Sequence, residues 1–369
     1  MAATPIDVRV ADHHRAAMMA HSANAHSTEH SVGVAVREAI EQASADIVGA
    51  LGEESRPLCF TPGASAALWL AIEDVIARTA GTMPRIAASA TEHPALLGAL
   101  AQAERDGRIS LSLLPVDGNG LPRLDAIDAA LGRGIDLLCT MAANNEVGTL
   151  TDMAAIRALL RGKGVSHLVD ASQAAGKVDL ADAMEADLII ISGAKVYGPR
   201  RTGALIGALH STAERRAHDL FGSPDAPGAM ALAFAMQLRA RERDEDEARL
   251  QLQRDWLQAR LVDGVPGLVV NGIGAERLAG CLHISSPHIP GDAVVSRLWG
   301  ELAVSTGAAC QSGAQTPSHV LTAMGLPEWA RDGAVRIGLG RFTTDDEIER
   351  AAALLVPALN ALAPARRVA

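Results

Sequence analysis

Residues 188–195 read LIIISGAK, an aliphatic run followed by three small residues and a lysine. A short, continuous aliphatic run is typical of a strand that is buried on both faces. Lys195 therefore lies at the carboxyl end of a predicted strand, where parallel α/β sheets bind their ligands. A lysine in a desolvated pocket can lose its proton and become a nucleophile. Of the two other lysines, Lys163 lies in a predicted surface turn and Lys177 is predicted to be semi-buried.

Similar short runs alternate with segments of helical periodicity over most of the chain. The predicted strands are 57–62, 86–90, 135–141, 166–169 and 188–192, and the predicted helices include 34–51, 93–103 and 153–161. This alternation predicts an α/β fold in which helices cover both faces of a mostly parallel sheet.

A charged run at residues 239–254 predicts a long solvated helix that leads into a second domain. Shorter strands and two helices follow it. We therefore expect a large domain over residues 10–245 and a small α+β domain over residues 246–369, with residues 1–9 packing near the small domain.

The bulk composition excludes several classes of protein. A net charge of −10 argues against a nucleic-acid surface. Four widely spaced cysteines without a CxxC pair argue against a zinc site and against a disulfide framework, so we expect no metal. The sequence shows neither a signal peptide nor an apolar stretch of membrane-spanning length, and we expect a cytoplasmic protein with reduced thiols.

Two further positions supply chemistry that complements Lys195. Asp170 also ends a predicted strand, where a carboxylate can pair with a protonated pyridine nitrogen or simply cap the next helix. Gly63-Ala64-Ser65 opens a predicted helix, and backbone N–H groups at a helix N-terminus suit a phosphate. A lysine, a carboxylate and a phosphate cradle are the groups that a pyridoxal phosphate (PLP) cofactor requires.

Six segments of this sequence together resemble the class V aminotransferase family, and within it the cysteine desulfurases of the NifS/IscS type. They are TEH at 91–93, NNEVG at 144–148, VDASQ at 169–173, SGAKVYGP at 192–199, STGAAC at 305–310 and VRIGLGRFTT at 335–344. The resemblance implies a three-layer α/β/α fold of the PLP-dependent transferase type (fold type I), with a mostly parallel sheet and a smaller α+β C-terminal domain.

The resemblance also implies a role for each matching residue. Lys195 would bind PLP covalently, His93 would stack on its ring and move protons, and Asp170 would pair with the ring nitrogen. The full set implied for the cofactor is Lys195, Asp170, Gln173, His93, Asn145, Ser65, Ala64 and Ser192. Gln173 would bond the phenolic oxygen, and Ser65 and Ser192 would hold the phosphate. Arg336, together with Asn145, would bind the substrate carboxylate, whereas Arg341 is interpreted as structural.

Cys310 would be the sulfur acceptor in this family. It lies among small residues that are typical of a mobile loop, whereas Cys59, Cys139 and Cys281 lie in strand-like surroundings and are interpreted as small buried hydrophobes. The implied reaction converts L-cysteine to L-alanine, leaves a persulfide on Cys310 and passes its sulfur to an acceptor protein. The loop is similar to that of the desulfurases that serve iron–sulfur assembly and tRNA thiolation, and the implied assembly is a homodimer.

The chain departs from the family pattern at several places. Ala194 stands where a phosphate-binding His usually precedes the lysine, and Ala66 stands where a Glu is common. The region 211–228 is short and lacks the Arg-Ser-Gly-Thr motif that binds the phosphate of the neighbouring subunit. The usual strand that precedes the first helix is missing as well.

Two alternatives stay open at this point. One is another class V lyase or transaminase, such as a selenocysteine lyase, although Cys310 argues against simple transamination. The other is a degenerate member that turns over slowly and acts through protein partners, which Ala194 and the short 211–228 region favour. The retention of Lys195, Asp170, His93, Cys310 and Arg336 opposes this second alternative, because an idle site needs none of them.

Overall fold

The computed structural model describes residues 3–79, 81–287, 289–306 and 317–362, with residues 361 and 362 described by their backbone alone. The strands of its main sheet are β1 (Leu58–Thr61), β2 (Arg85–Ser89), β3 (Ser110–Leu114), β4 (Leu137–Met141), β5 (Ser166–Asp170), β6 (Leu188–Ser192) and β7 (Gly203–Ile206). They lie in the order β1-β7-β6-β5-β4-β2-β3. Within this sheet β7 alone runs against the others, since it pairs antiparallel with β1 and β6 while the remaining pairs are parallel.

Helices cover both faces of this sheet. Those of the first part of the chain are α1 (Val8–Ala20), α2 (Ser31–Ala50), α3 (Ala64–Arg78), α4 (Pro94–Arg105), α5 (Leu124–Gly132), α6 (Met153–Leu160), α7 (Ser211–Phe221) and α8 (Ala226–Gly264). Ile189 and Ile191 of β6 pack with α2 and α8, while Leu188 and Ile190 pack with α3 and α4 on the opposite face. Full burial of each such side chain contributes about 1.5–3 kcal/mol. The predicted three-layer α/β/α fold with a mostly parallel sheet is confirmed.

A second, three-stranded antiparallel sheet follows α8. Its strands are β8 (Val269–Val270), β9 (Cys281–Ser285) and β10 (Ala334–Gly338), in the order β10-β9-β8, and the helices of this part are α9 (Gly291–Arg297), α10 (His319–Ala323), α11 (Glu328–Asp332) and α12 (Asp345–Leu362). Its apolar core joins one face of this sheet to α12 and to the end of α8. The division at residue 245 falls inside α8, which contributes to two separate cores, and the domain bounds stay a prediction.

Helix α8 differs from the solvated helix that its charges predicted. Arg239 is only 1% exposed, and its buried charge forms ion pairs with Asp246 and Glu247 and donates a hydrogen bond to the carbonyl of Gly176 at 2.8 Å. Buried charges are tolerated when they are paired in this way. The expectation of full solvation was therefore wrong for the centre of the helix. None of the helices within the described ranges is long and apolar enough to cross a membrane.

The N-terminal segment contacts the turn that carries Lys195. The backbone N–H of Thr4 donates to the carbonyl of Ala194 at 2.9 Å, and its hydroxyl accepts from the backbone N–H of Tyr197 at 2.9 Å. Asp7 forms an ion pair with Arg341 at 3.3 Å. These contacts tie the start of the chain both to the main sheet and to the residues that follow β10.

Candidate active site

The carboxyl ends of neighbouring strands place the predicted cofactor residues around one cavity of about 290 Å³. Asp170 ends β5, Lys195 follows β6 in a 3-10 turn, and His93 caps α4 shortly after β2. Asn145 follows β4, and Ser65 lies in the first turn of α3. All eight predicted residues line this cavity, namely Lys195, Asp170, Gln173, His93, Asn145, Ser65, Ala64 and Ser192. The structure brings them together, and their individual roles stay predictions.

Asp170 lies beside a second buried carboxyl group. Its Oδ1 accepts a hydrogen bond from the backbone N–H of Ser172 at 2.9 Å. Glu92 is fully buried, and its Oε1 accepts from the backbone N–H of Met141, the β4 residue that lies opposite Asp170. Burial, reinforced by the charge of Asp170, raises the pKa of Glu92 well above its usual range. This shift favours the neutral form of Glu92, which would add no second negative charge beside Asp170.

His93 is held in one orientation by its role as the cap of α4. Its Nδ1 accepts a hydrogen bond from the backbone N–H of Ala95 at 3.1 Å, so the proton of the neutral ring lies on Nε2. Burial lowers the pKa of His93, and the charges of Lys195 and His319 lower it further, whereas Asp170 opposes them. A neutral ring with a donor at Nε2 follows from this environment.

The structure distinguishes the three lysines. Lys195 lines the cavity, whereas Lys163 is exposed on the surface. Lys177 is buried rather than semi-buried and does not line the cavity, but its Nζ lies 3.5 Å from Oε1 of Gln173. Burial lowers the pKa of Lys177 to about 8. Lys195 is therefore the lysine whose position allows a covalent bond to a ligand in this cavity.

Arg336 lies at the edge of the same site, on β10. Its Nη1 donates to the backbone carbonyl of Asn145 at 2.9 Å, and its Nη2 donates to Oγ of Ser305 at 3.2 Å. His283, the β9 residue opposite Arg336, is buried, and burial lowers its pKa to about 3, with a further contribution from Arg336. The neutral His283 leaves Arg336 as the positive charge at this position.

Known proteins resemble this chain over nearly its whole length. The family model of the class V aminotransferases matches residues 1–351. The chain belongs to the class V aminotransferase family. Among curated relatives, it is 32% identical to the cysteine desulfurase IscS of Shewanella baltica, over 98% of this chain and 92% of that protein. It is 30% identical to the cysteine desulfurase of Mus musculus, over 94% of this chain and 78% of that protein. A solved NifS-like protein superposes with a TM-score of 0.84 at 25% identity, covering 97% of both chains.

Cys310, the sulfur acceptor that the family resemblance implies, lies outside the described residues. The residues on either side of that segment are fixed next to the cavity. Ser305 forms two backbone hydrogen bonds with Arg336, at 2.6 and 3.2 Å. On the far side, Ser318 Oγ donates to Glu146 Oε2 at 2.6 Å, and Nε2 of His319 contacts the carbonyl of Glu92 at 2.9 Å. The described residues Ser305 and His319, which flank position 310 in the sequence, therefore lie beside Arg336 and beside the loop that carries His93.

Two family positions remain, namely Arg341 and the region 211–228. Arg341 is mostly buried, pairs with Asp7, Glu242 and Asp246, and lies over the ring of Tyr197. The region 211–228, expected to be short, folds locally as α7 and the start of α8.

Sequence reasoning assigned no role to several residues of the cavity. The additional lining residues are Pro62, Gly63, Leu68, Met141, Ala143, Ser172 and Arg201. Arg201 is the charged member of this set, and it lies in the turn between Lys195 and β7. A cation close in sequence to the predicted Schiff-base lysine was a signal that could have identified it. Glu92 was visible only as the neighbour of His93, and nothing in the sequence indicated its contact with β4.

Proposed function

We propose that this chain is a PLP-dependent cysteine desulfurase in which Lys195 binds the cofactor and Cys310 accepts sulfur from L-cysteine. The observation that carries the proposal is that Lys195, Asp170 and His93 line one cavity. Ser305 and His319, described residues on either side of position 310 in the sequence, contact Arg336 and Glu92. The curated cysteine desulfurases that resemble the chain support the same activity.

The donors and acceptors of the cavity suit PLP. A lysine amine, a strand-end carboxylate and a serine at a helix N-terminus match an aldehyde, a ring nitrogen and a phosphate. Asn145 and Ser172 also line this cavity, and Asn145 Oδ1 and Ser172 Oγ are buried without a hydrogen-bond partner among the described residues. Buried polar atoms normally have a partner, so these two atoms suit a polar ligand. PLP supplies an electron sink that stabilises negative charge on the α-carbon of a bound amino acid.

Different residues around the cavity would transfer protons and bind the substrate. The Lys195 amine would remove the proton from the substrate α-carbon, which requires its neutral form. His93 is neutral and presents Nε2–H, so it can donate a hydrogen bond without adding a positive charge beside Lys195. The planar guanidinium of Arg336 suits a carboxylate, which it would bind through two parallel hydrogen bonds.

Sulfur transfer requires a thiolate that reaches the substrate sulfur. The Cys310 thiolate would attack that sulfur, so that an S–S bond forms while the substrate Cβ–S bond breaks and its electron pair stays on carbon. Protonation of that carbon yields L-alanine, and Cys310 is left as a persulfide. The outer sulfur would then pass to a thiol of an acceptor protein.

The proposal also includes the cellular compartment, the oligomeric state and the sulfur acceptor. We propose a cytoplasmic homodimer that delivers sulfur to a scaffold or sulfurtransferase protein, for example in iron–sulfur cluster assembly. The similarity to the IscS protein of Shewanella baltica supports this setting.

A single-turnover assay tests the activity. Purified protein is loaded with PLP and mixed with L-cysteine without reductant, and alanine and protein-bound persulfide are quantified. We expect about one alanine per active site in the first turnover. Cys310→Ala is expected to lower alanine formation at least 100-fold, because the nucleophile is lost. Alanine formation by Cys310→Ala at the rate of the unmodified chain would contradict the mechanism.

Cys59→Ala is the matched control for this assay. Burial raises the pKa of the half-buried Cys59 thiol to about 11, so it is a poor nucleophile at neutral pH. We expect this variant to keep its activity within about twofold. L-selenocysteine as a competing substrate separates the desulfurase from a selenocysteine lyase, since a lyase would turn over selenocysteine and leave cysteine unchanged.

A further inference from the structure

The turn that connects Lys195 to β7 contains an arginine in an uncommon backbone conformation. Arg201 has a φ of 59°, in the left-handed region that favours glycine. Tyr197, the other non-glycine residue with positive φ in the described ranges, is fixed by hydrogen bonds at its backbone N–H and its hydroxyl. Arg201 is exposed, and among the described residues no side chain pairs with its guanidinium. Local contacts of that group therefore give no reason for an arginine at this position.

The pairing of β1 with β7 places Arg201 next to the start of α3. Thr61 lies opposite Gly203 in the antiparallel pair, and a Cβ built on Gly63 would lie 3.9 Å from the Cα of Arg201. Gly63 caps α3 without a side-chain hydrogen bond, and the first turn of this helix contains no acidic residue. The backbone N–H groups of that turn are therefore available to an anion. Arg201 and Ser65 line the cofactor cavity together.

The same part of the cavity lacks the phosphate contacts that the family resemblance leads one to expect. Ala194 has no side chain that could donate a hydrogen bond, and the region 211–228 lacks the Arg-Ser-Gly-Thr motif. A phosphate with nearly two negative charges needs more than neutral donors when it is removed from water. Among the described residues that line the cavity, Arg201 is the guanidinium group.

We infer that Arg201 binds the phosphate of PLP, and that it belongs to the same chain as the Lys195 that binds the cofactor. This inference rests on the proposed function, since it assumes that PLP occupies the cavity. Arg201 would replace the missing histidine and the missing contact from a second subunit. Its guanidinium group would add a positive charge to the phosphate site formed by Ser65, Ser192 and the backbone N–H groups in the first turn of α3. The cost of its left-handed backbone would be offset by that contact.

A neighbouring cavity offers Arg201 a competing role. It measures about 640 Å³, shares Arg201 and Pro62 with the cofactor cavity, and is also lined by Glu41, Glu214 and Asp225. An arginine that served only these carboxylates would leave the affinity for PLP unchanged when it is replaced. The two roles therefore predict different results in a binding experiment.

Titration of the apoprotein with PLP and with pyridoxal, which lacks the phosphate, tests the inference. Binding is followed by the absorbance change when the aldehyde reacts with the protein amine. We expect Arg201→Ala to raise the Kd for PLP about 10- to 100-fold and to leave the Kd for pyridoxal within about twofold. Inorganic phosphate should compete with PLP in the unmodified chain and compete more weakly in Arg201→Ala.

Arg200→Ala is the matched control, because Arg200 is the exposed neighbour of Arg201 and does not line the cavity. Its Kd for PLP should stay within about twofold of the unmodified value. Arg201→Gly tests whether weaker binding comes from unfolding rather than from loss of the guanidinium group, because glycine adopts the left-handed conformation without strain. We expect its apoprotein to melt at the same temperature as the unmodified chain or higher, although it binds PLP as weakly as Arg201→Ala.

Three results would overturn the inference. They are an unchanged Kd for PLP in Arg201→Ala and Arg201→Gly, an equal loss of affinity for PLP and pyridoxal, and an equal loss in Arg200→Ala. Each of these leaves the proposed function intact if the unmodified chain binds PLP and makes alanine. An unmodified chain that fails to bind PLP would reject the proposed function and this inference together.

Discussion

The cavity that we propose for PLP has a ring end and a phosphate end, which differ in burial and in their agreement with the family pattern. At the ring end, Asp170 and Gln173 are 6% and 5% exposed and lie among buried strand ends and loops. At the phosphate end, Ser192 is buried, but Ser65 and Arg201 are exposed and lie on the first turn of a helix and on a connecting turn. The residues implied by the resemblance are retained at the ring end, and the departures at Ala194 and in region 211–228 concern the phosphate end.

This difference follows from the two kinds of chemistry. A ring nitrogen that must stay protonated needs one carboxylate at one position, in surroundings where no other charge competes. A phosphate accepts hydrogen bonds on three oxygen atoms and is satisfied by backbone N–H groups, hydroxyls or an arginine from several directions. Substitutions are therefore tolerated at the phosphate end provided that the total number of donors and the positive charge are maintained.

The largest expected effect is at the ring end. Lys195→Ala should lower alanine formation at least about 1,000-fold, because the covalent link and the base are lost together. Lys163→Ala, which removes an exposed lysine, should leave activity unchanged. The checks are alanine formation and the peptide that carries the cofactor after borohydride reduction. A label on Lys177 in the unmodified chain would show that the wrong lysine has been assigned to the ring end.

An intermediate effect is expected from restoring the missing histidine at the phosphate end. Ala194→His should tighten PLP binding by less than about threefold in the unmodified chain, because Arg201 already supplies the positive charge. In the Arg201→Ala background the same change should regain about tenfold, and the double-mutant cycle measures the coupling. Equal gains in both backgrounds would mean that the two positions act independently and that the phosphate end has been misinterpreted.

The smallest effect is expected at Glu92, where the ring end is most buried. Its folded pKa is raised, so the chain binds this proton more tightly when folded and loses stability as pH rises from about 4.5 towards the folded value. Glu92→Gln keeps an acceptor for the backbone N–H of Met141 and removes the titration. We therefore expect it to raise the free energy of unfolding above that window by roughly 1–2 kcal/mol and to change PLP affinity less than twofold.

Urea unfolding between pH 5.5 and 8 measures this prediction, with the exposed Glu38→Gln as control. The gain from Glu92→Gln should shrink towards low pH, and Glu38→Gln should show no such trend. A loss of stability in Glu92→Gln that grows with pH would indicate that Glu92 is ionised in the folded chain and that the ring end carries two carboxylates.

The sequence by itself predicted five of the seven strands of the main sheet, all but β3 and β7, and the residues that we propose for the ring end of the site. Aliphatic runs such as 188–192 form strands because only a buried strand satisfies so many apolar side chains in so few residues. The polar residues that follow these runs, Asp170 and Lys195, meet because parallel strands end at one edge of a sheet. Each polar residue directly follows its aliphatic run in the sequence, so the pattern can be recognised locally. The short motifs of the family resemblance predicted the other residues of the ring end.

Only the tertiary structure decided the positions of Arg201, Glu92 and Arg239. Arg201 reaches the cavity because β1 pairs with β7, two strands that lie far apart in the sequence. Glu92 lies beside Asp170 through its hydrogen bond to β4. Arg239 is buried against Gly176, while Asp246 and Glu247 of the same helix pair with its charge. Arg201 is close to Lys195 in the sequence, and the partners of Arg239 lie two turns further along the same helix. Strand pairing and helix packing nevertheless decided that these two side chains reach a cavity and a buried site. The sequence therefore predicted Ser65 and Ser192 for the phosphate end, whereas Arg201 was found beside them only in the tertiary structure.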